Sequence, residues 1–75
     1  MLEQEIIDAV VAAIPDAQVQ AHMEGNHAHI TVTSAAFTGL SPVKKQQLVY
    51  AVLGDAIASG AIHAVHMKTL APNAQ

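Results

Sequence analysis

The stretch Gln18-Val-Gln-Ala-His-Met-Glu-Gly-Asn-His-Ala-His-Ile-Thr-Val-Thr33 decides the fold. It alternates with a period of two, the spacing at which successive side chains of a strand point to opposite faces. Val19, Ala21 and Met23 share one face, and Gln18, Gln20 and His22 share the other. Beyond Gly25-Asn26 the alternation resumes, with Ala28, Ile30 and Val32 on one face and His27, His29, Thr31 and Thr33 opposite. Gly25-Asn26 has the chemistry of a two-residue hairpin turn with glycine first. That turn pairs Glu24 with His27, Met23 with Ala28, His22 with His29 and Val19 with Val32. Apolar then meets apolar and polar meets polar throughout, whereas a slip of one residue would turn one strand's apolar set towards solvent. The hairpin therefore has one dry face, which other elements must cover.

Working outward, the segment before the hairpin predicts a helix. Leu2, Ile6, Ala9, Val10 and Ala13 fall at helical spacing, and Glu3, Glu5 and Asp8 lie towards its positive end. Pro15 stops it, because the residue before a proline is pushed out of the helical region. After the hairpin, Ser34 to Leu40 reads as a connector containing Gly39. Ser41 is an N-cap and Pro42 takes the first helical position, where its missing N–H costs nothing. This second helix runs to about Ser59, with Val49, Val52, Leu53, Ala56 and Ile57 as its buried stripe and Gly60 as its C-terminal cap. A short last strand, Ala64 to Thr69, turns Val65 and Met67 inward and His66 and Lys68 outward, and Pro72 ends it. The order α-β-β-α-β predicts an α+β fold, a three-stranded mixed sheet with helices packed on one face. A strand, a crossover helix and a further strand return in parallel. The starts of the second and third strands then lie side by side. His27 opens one and His63 immediately precedes the other, so the two meet at the end of the sheet beside the hairpin turn.

Composition narrows the function. The 75 residues (7.8 kDa) read as a single domain, 1–75, with 71–75 a frayed tail. A chain of this size buries only about 60% of its unfolded surface, which leaves no room for a deep enclosed active site. The absence of cysteine excludes a disulfide scaffold, a zinc–cysteine finger and a thiol enzyme. Three lysines, no arginine and a net charge of -3 weigh against phosphate-backbone binding. Apolar runs fall far short of the ~20 residues that span a bilayer. Glu3 and Glu5 stand where a signal peptide would be positive, so a cytoplasmic location without membrane association is expected. Asp16, Asp55 and Glu24 are scattered and form no carboxylate pair, and no nucleophile–base pairing is readable, so an enzyme is not expected. The five histidines are the abnormal feature.

Three segments carry a resemblance. Phe37-Thr-Gly-Leu-Ser-Pro-Val-Lys-Lys-Gln-Gln-Leu-Val-Tyr50, Ile62-His-Ala-Val-His-Met-Lys68 and Leu70-Ala-Pro72 together resemble the BolA family, in particular its short bacterial, IbaG-like branch. The resemblance implies a fold similar to the class II KH arrangement. It also implies a complex with a monothiol glutaredoxin in which a [2Fe–2S] cluster is shared, glutathione and the glutaredoxin cysteine supplying thiolates and the BolA side supplying histidine. The isolated chain would hold no cofactor, and a homodimer is left open. The family's characteristic histidine corresponds to His63. The second ligand, counted back ten residues from Phe37 without a gap, falls on His27, and a two-residue gap selects His29 instead. Imidazole is a good iron ligand, and replacing thiolate by histidine raises a cluster's potential.

Other readings stand beside this one. His63 also reads as a strand-start histidine satisfied by a backbone carbonyl. Lys44 and Lys45 suggest a DNA-binding regulator of the BolA type acting through residues 38–45. However, Gly39-Leu-Ser-Pro42 lacks the second glycine of a G-x-x-G clamp, and two lysines neutralise few phosphates, so nucleic acid is disfavoured. His22 and His29, opposite one another in the hairpin, suit zinc or nickel, or form plain polar surface. His66 and the Tyr50 hydroxyl read as facing solvent.

Overall fold

The computed structural model describes residues 3–72. Helix α1 (Glu3–Ala13) is followed by β1 (Gln18–Glu24), β2 (His27–Thr33), a short 3-10 turn (Ala35–Phe37), α2 (Pro42–Ala58) and β3 (Ala64–Leu70). The sheet order is β1-β2-β3, with β1 antiparallel and β3 parallel to β2. The α+β architecture, α-β-β-α-β with a three-stranded mixed sheet, is thus as the sequence predicts. Every expected hairpin pair is present, from Glu24 opposite His27 to Val19 opposite Val32. Gly25 takes φ 60, the positive value that a glycine-first two-residue turn demands.

One face of the sheet is dry. Ile6, Val10 and Ile14 from the first helical segment, Ala28, Ile30 and Val32 from β2, Val49 and Leu53 from α2, and Phe37 and Ile62 from the connections form the core. Val19, Ala21, Met23, Val65 and Met67 pack partly buried against it. Among the described residues, no helix packs on the opposite face of the sheet.

Two buried stripes differ in detail from expectation. In α1, Ala13 is exposed and Ile14 takes the core position, because Ile6, Val10 and Ile14 follow one another at four-residue steps. Leu2, also assigned to this stripe, lies outside the described residues, as do 73–75 of the expected tail. In α2, Val49 and Leu53 are buried, Val52 and Ala56 are half-buried, and Ile57 is 36% exposed. Ile57 sits about 80° round the helix from Val49, at the margin of the stripe. The caps are as read: the Ser41 hydroxyl accepts from the Lys44 N–H, and Gly60 closes the helix at φ 83.

The connector hides a clamp that alternation does not signal. Ser34, 1% exposed, donates its hydroxyl to Asp16 Oδ1 (2.7 Å) and accepts from the Ala36 N–H (3.0 Å). Asp16 Oδ2 accepts from the Ala35 N–H (2.8 Å), and the Ser34 N–H donates to the Leu70 carbonyl (2.9 Å). The α1–β1 loop, the start of the 3-10 turn and the end of β3 are thereby tied together. The Ser34 hydroxyl, reinforced by the Ala35 N–H, holds the Asp16 carboxyl below its ordinary value.

Candidate functional site

Strand alternation and the two registers together lay out the uncovered sheet face as rows. Nearest the hairpin turn lies Glu24–His27–Ala64, then His22–His29–His66, then Gln20–Thr31–Lys68. Four of the five histidines therefore stand on one open surface, three of them side by side across all three strands. Their rings are in contact. His29 stacks on His66 at a centroid separation of 4.6 Å and 10° between planes. His27 stacks on the same His66 at 5.8 Å and 18°, and His22 lies 6.2 Å from His29, tilted by 37°. Carboxylates flank the row: Glu24 Oε1 is 3.3 Å from His29 Nε2, and Glu3 Oε2 is 3.2 Å from His22 Nδ1. Glu3 Oε2 also accepts from the Met23 N–H (2.9 Å), fastening α1 to β1. A shallow depression of about 390 Å³ lies over the row, bordered by Gln20, Thr31 and Lys68.

The predicted convergence of His27 and His63 is present in the backbone. His27 pairs with Ala64, and the His63 N–H donates to the Asn26 carbonyl at 2.7 Å. Both side chains are exposed. The backbone carbonyl thus satisfies the main chain at His63 and not its ring, and among the described residues that ring stacks on no other. His27 instead rests on His66, and His29, the alternate, is engaged by Glu24 and His66. His66 does more than face solvent, since it is the residue on which two other rings stack.

Among the described residues, no three His, Asp or Glu side chains converge on a point that would hold a metal ion. The chain has no cysteine. Lys44 is exposed and Lys45 half-buried at the start of α2, and the Lys44 backbone N–H is already taken by Ser41. No described helix is long and apolar enough to cross a membrane.

A small α+β domain with one sheet face under two helices and the other crossed by histidines, its α-β-β-α-β order intact, has the architecture of BolA structures. The sequence profile described as BolA-like protein matches residues 4–74, and the chain belongs to the BolA family. It is 36% identical over 72 residues to the acid stress protein IbaG of Escherichia coli K12, covering 96% of this chain and 86% of that one. A BolA homologue from Coxiella burnetii superposes with a TM-score of 0.83 at 27% identity, covering 97% of this chain and 94% of the other. BolA1 from Arabidopsis thaliana, with TM-score 0.86, 18% identity and coverage of 97% and 94%, shares the fold.

Proposed function

We propose that this chain is a non-enzymatic cytoplasmic adaptor that binds a monothiol glutaredoxin and contributes imidazole to a shared [2Fe–2S] cluster. His63 is the principal ligand and His27 the second, with His29 the alternate. One observation carries the reading. The parallel β2–β3 register sets His63 beside the hairpin turn, next to the start of β2, with its ring exposed and without a ring partner among the described residues.

The donor set fits a shared cluster and not a private one. Thiolates are the usual holders of such clusters, and this chain has none to give. It offers neutral nitrogen donors on a rigid sheet end, so glutathione and the partner's cysteine must bring the sulfur. When bound, the cluster supplies redox and transfer chemistry. The protein's own contribution would be to position the imidazoles: the His63–Asn26 backbone bond anchors the main chain that carries one, and the hairpin register anchors the main chain that carries the other. The kinship with an acid stress protein supports a place for this adaptor in the response to acid.

Anaerobic mixing with a monothiol glutaredoxin and glutathione tests the proposal. Adding the chain should change the visible absorption and CD bands of the cluster, and His63→Ala should abolish the change. Identical bands with and without the chain, or with and without His63, would refute it.

A further inference from the structure

We propose that the open sheet face carries a separate, exchangeable site for a borderline divalent cation of the zinc class, formed by His22, His29 and His66 with Glu24. The proposal goes beyond the cluster reading and does not use His63.

The argument begins with register. His29 is the direct neighbour of both His22 and His66, so its Cβ starts within the cross-strand pair separation of each, while His22 and His66 flank it two strands apart. A tetrahedral ion with ligand bonds of about 2.0–2.1 Å holds its donor atoms about 3.3 Å apart and its imidazole centroids about 5 Å apart. His29 Nε2 and Glu24 Oε1 stand 3.3 Å apart, and the centroid separations of 4.6 Å for His29–His66 and 6.2 Å for His22–His29 bracket the second distance. The His29 Nε2–Glu24 Oε1 pair therefore already has the spacing of two ligands on one ion. The remaining ligands come by ring rotation.

Rotation is available because the side chains are open to solvent, His22 at 66% and His29 at 43%. Since no three donors already converge among the described residues, the rings must leave their stack to bind. That cost makes the site weak and exchangeable, unlike a closed structural zinc site. Lys68, on the neighbouring row, opposes a cation, whereas Glu3 and Glu24 at the rim favour one. Imidazole and carboxylate without thiolate select zinc, nickel or copper(II) over calcium and magnesium.

Zinc(II) alone, titrated calorimetrically into the full chain without glutathione or glutaredoxin, tests the site. Saturable one-to-one binding is expected. His29→Ala and His66→Ala should each weaken it about tenfold or more, and His63→Ala should leave it within about twofold. Nickel(II) should broaden the imidazole NMR signals of His22, His29 and His66 before that of His63. The proposal is overturned if zinc binding does not saturate, if either His29→Ala or His66→Ala leaves affinity within about twofold, or if His63→Ala weakens binding about tenfold. All the substituted residues are exposed, and far-UV CD checks that each variant is folded. Failure here leaves the cluster assay untouched, because that assay reads His63.

Discussion

Ser34→Ala removes one hydroxyl from the point where three connections meet. That hydroxyl donates to Asp16 Oδ1 at 2.7 Å and accepts from the Ala36 N–H at 3.0 Å, at a residue only 1% exposed. The bond from the Ser34 N–H to the Leu70 carbonyl survives the change, so the loss is confined to the side chain. A buried hydroxyl that both donates and caps a turn contributes about 2 kcal/mol, the two roles sharing one atom and so adding incompletely. Against a stability of about 0.05–0.15 kcal/mol per residue, that is a large fraction for so small a chain. With a urea dependence near 1 kcal/mol per M, the unfolding midpoint at neutral pH should fall by about 2 M. Acid provides a second readout. The Asp16 carboxyl is depressed from its ordinary 3.8, chiefly by Ser34, so its ionised form stabilises the fold above that value. The stabilisation is lost as pH falls through the lower folded value. In Ser34→Ala the largest cause of the depression is gone and only the backbone donors remain, so the acid-dependent loss should shrink. Urea titrations by far-UV CD, at neutral pH and at steps below pH ~4, measure both. A midpoint within about 0.5 M of the parent, or an undiminished acid dependence, would refute the reasoning.

Phe37→Ala empties the position of the largest fully buried side chain and should cost about 3–5 kcal/mol, leaving the chain largely unfolded by NMR dispersion at 25 °C. Gly25→Ala meets no atom within 4 Å but forces an L side chain to φ +60, so it should cost about 1–2 kcal/mol in urea unfolding without disturbing the core. Duplex DNA should bind no tighter than micromolar, with a log–log salt slope no steeper than about -2 if Lys44 and Lys45 are the contacts. Specific sub-micromolar binding lost in Lys44→Ala would instead establish the 38–45 region as a nucleic-acid surface.

What could be read in the residues, and what could not, follows from how each register is set. A two-residue turn fixes the β1–β2 pairing by itself, so His22 opposite His29 is legible from the sequence alone. The β2–β3 register has no such local determinant. The Pro42–Ala58 helix separates the strands, and packing of Val49, Leu53 and Ile62 sets where β3 stops against β2. The proximity of His27 and His63 survived that uncertainty because it needs only a parallel pairing near the strand starts. Which ring His66 meets is not legible in that way, since a shift of two residues would leave it outward but set it beside His27 or Thr31. The Asp16–Ser34 clamp was illegible for a related reason: its partners are 18 residues apart in segments without periodicity.

Position along the sheet also separates His63 from the stacked histidines. His63 lies one residue before β3, its N–H bonded to the Asn26 carbonyl, whereas His66 stands two residues further along the outer face than Ala64. His63, the principal cluster ligand proposed, is therefore outside the row in which His29 and His66 stack, and His27 borders that row. If one surface served both roles, removing any histidine would impair both zinc binding and the cluster spectrum. If position divides them, His63→Ala should silence the cluster assay and spare zinc binding, and His66→Ala should weaken zinc binding and leave the His63-dependent cluster bands. That double dissociation is the strongest consequence of the register, because it depends on where each histidine sits in the sheet and not on how many histidines the chain contains.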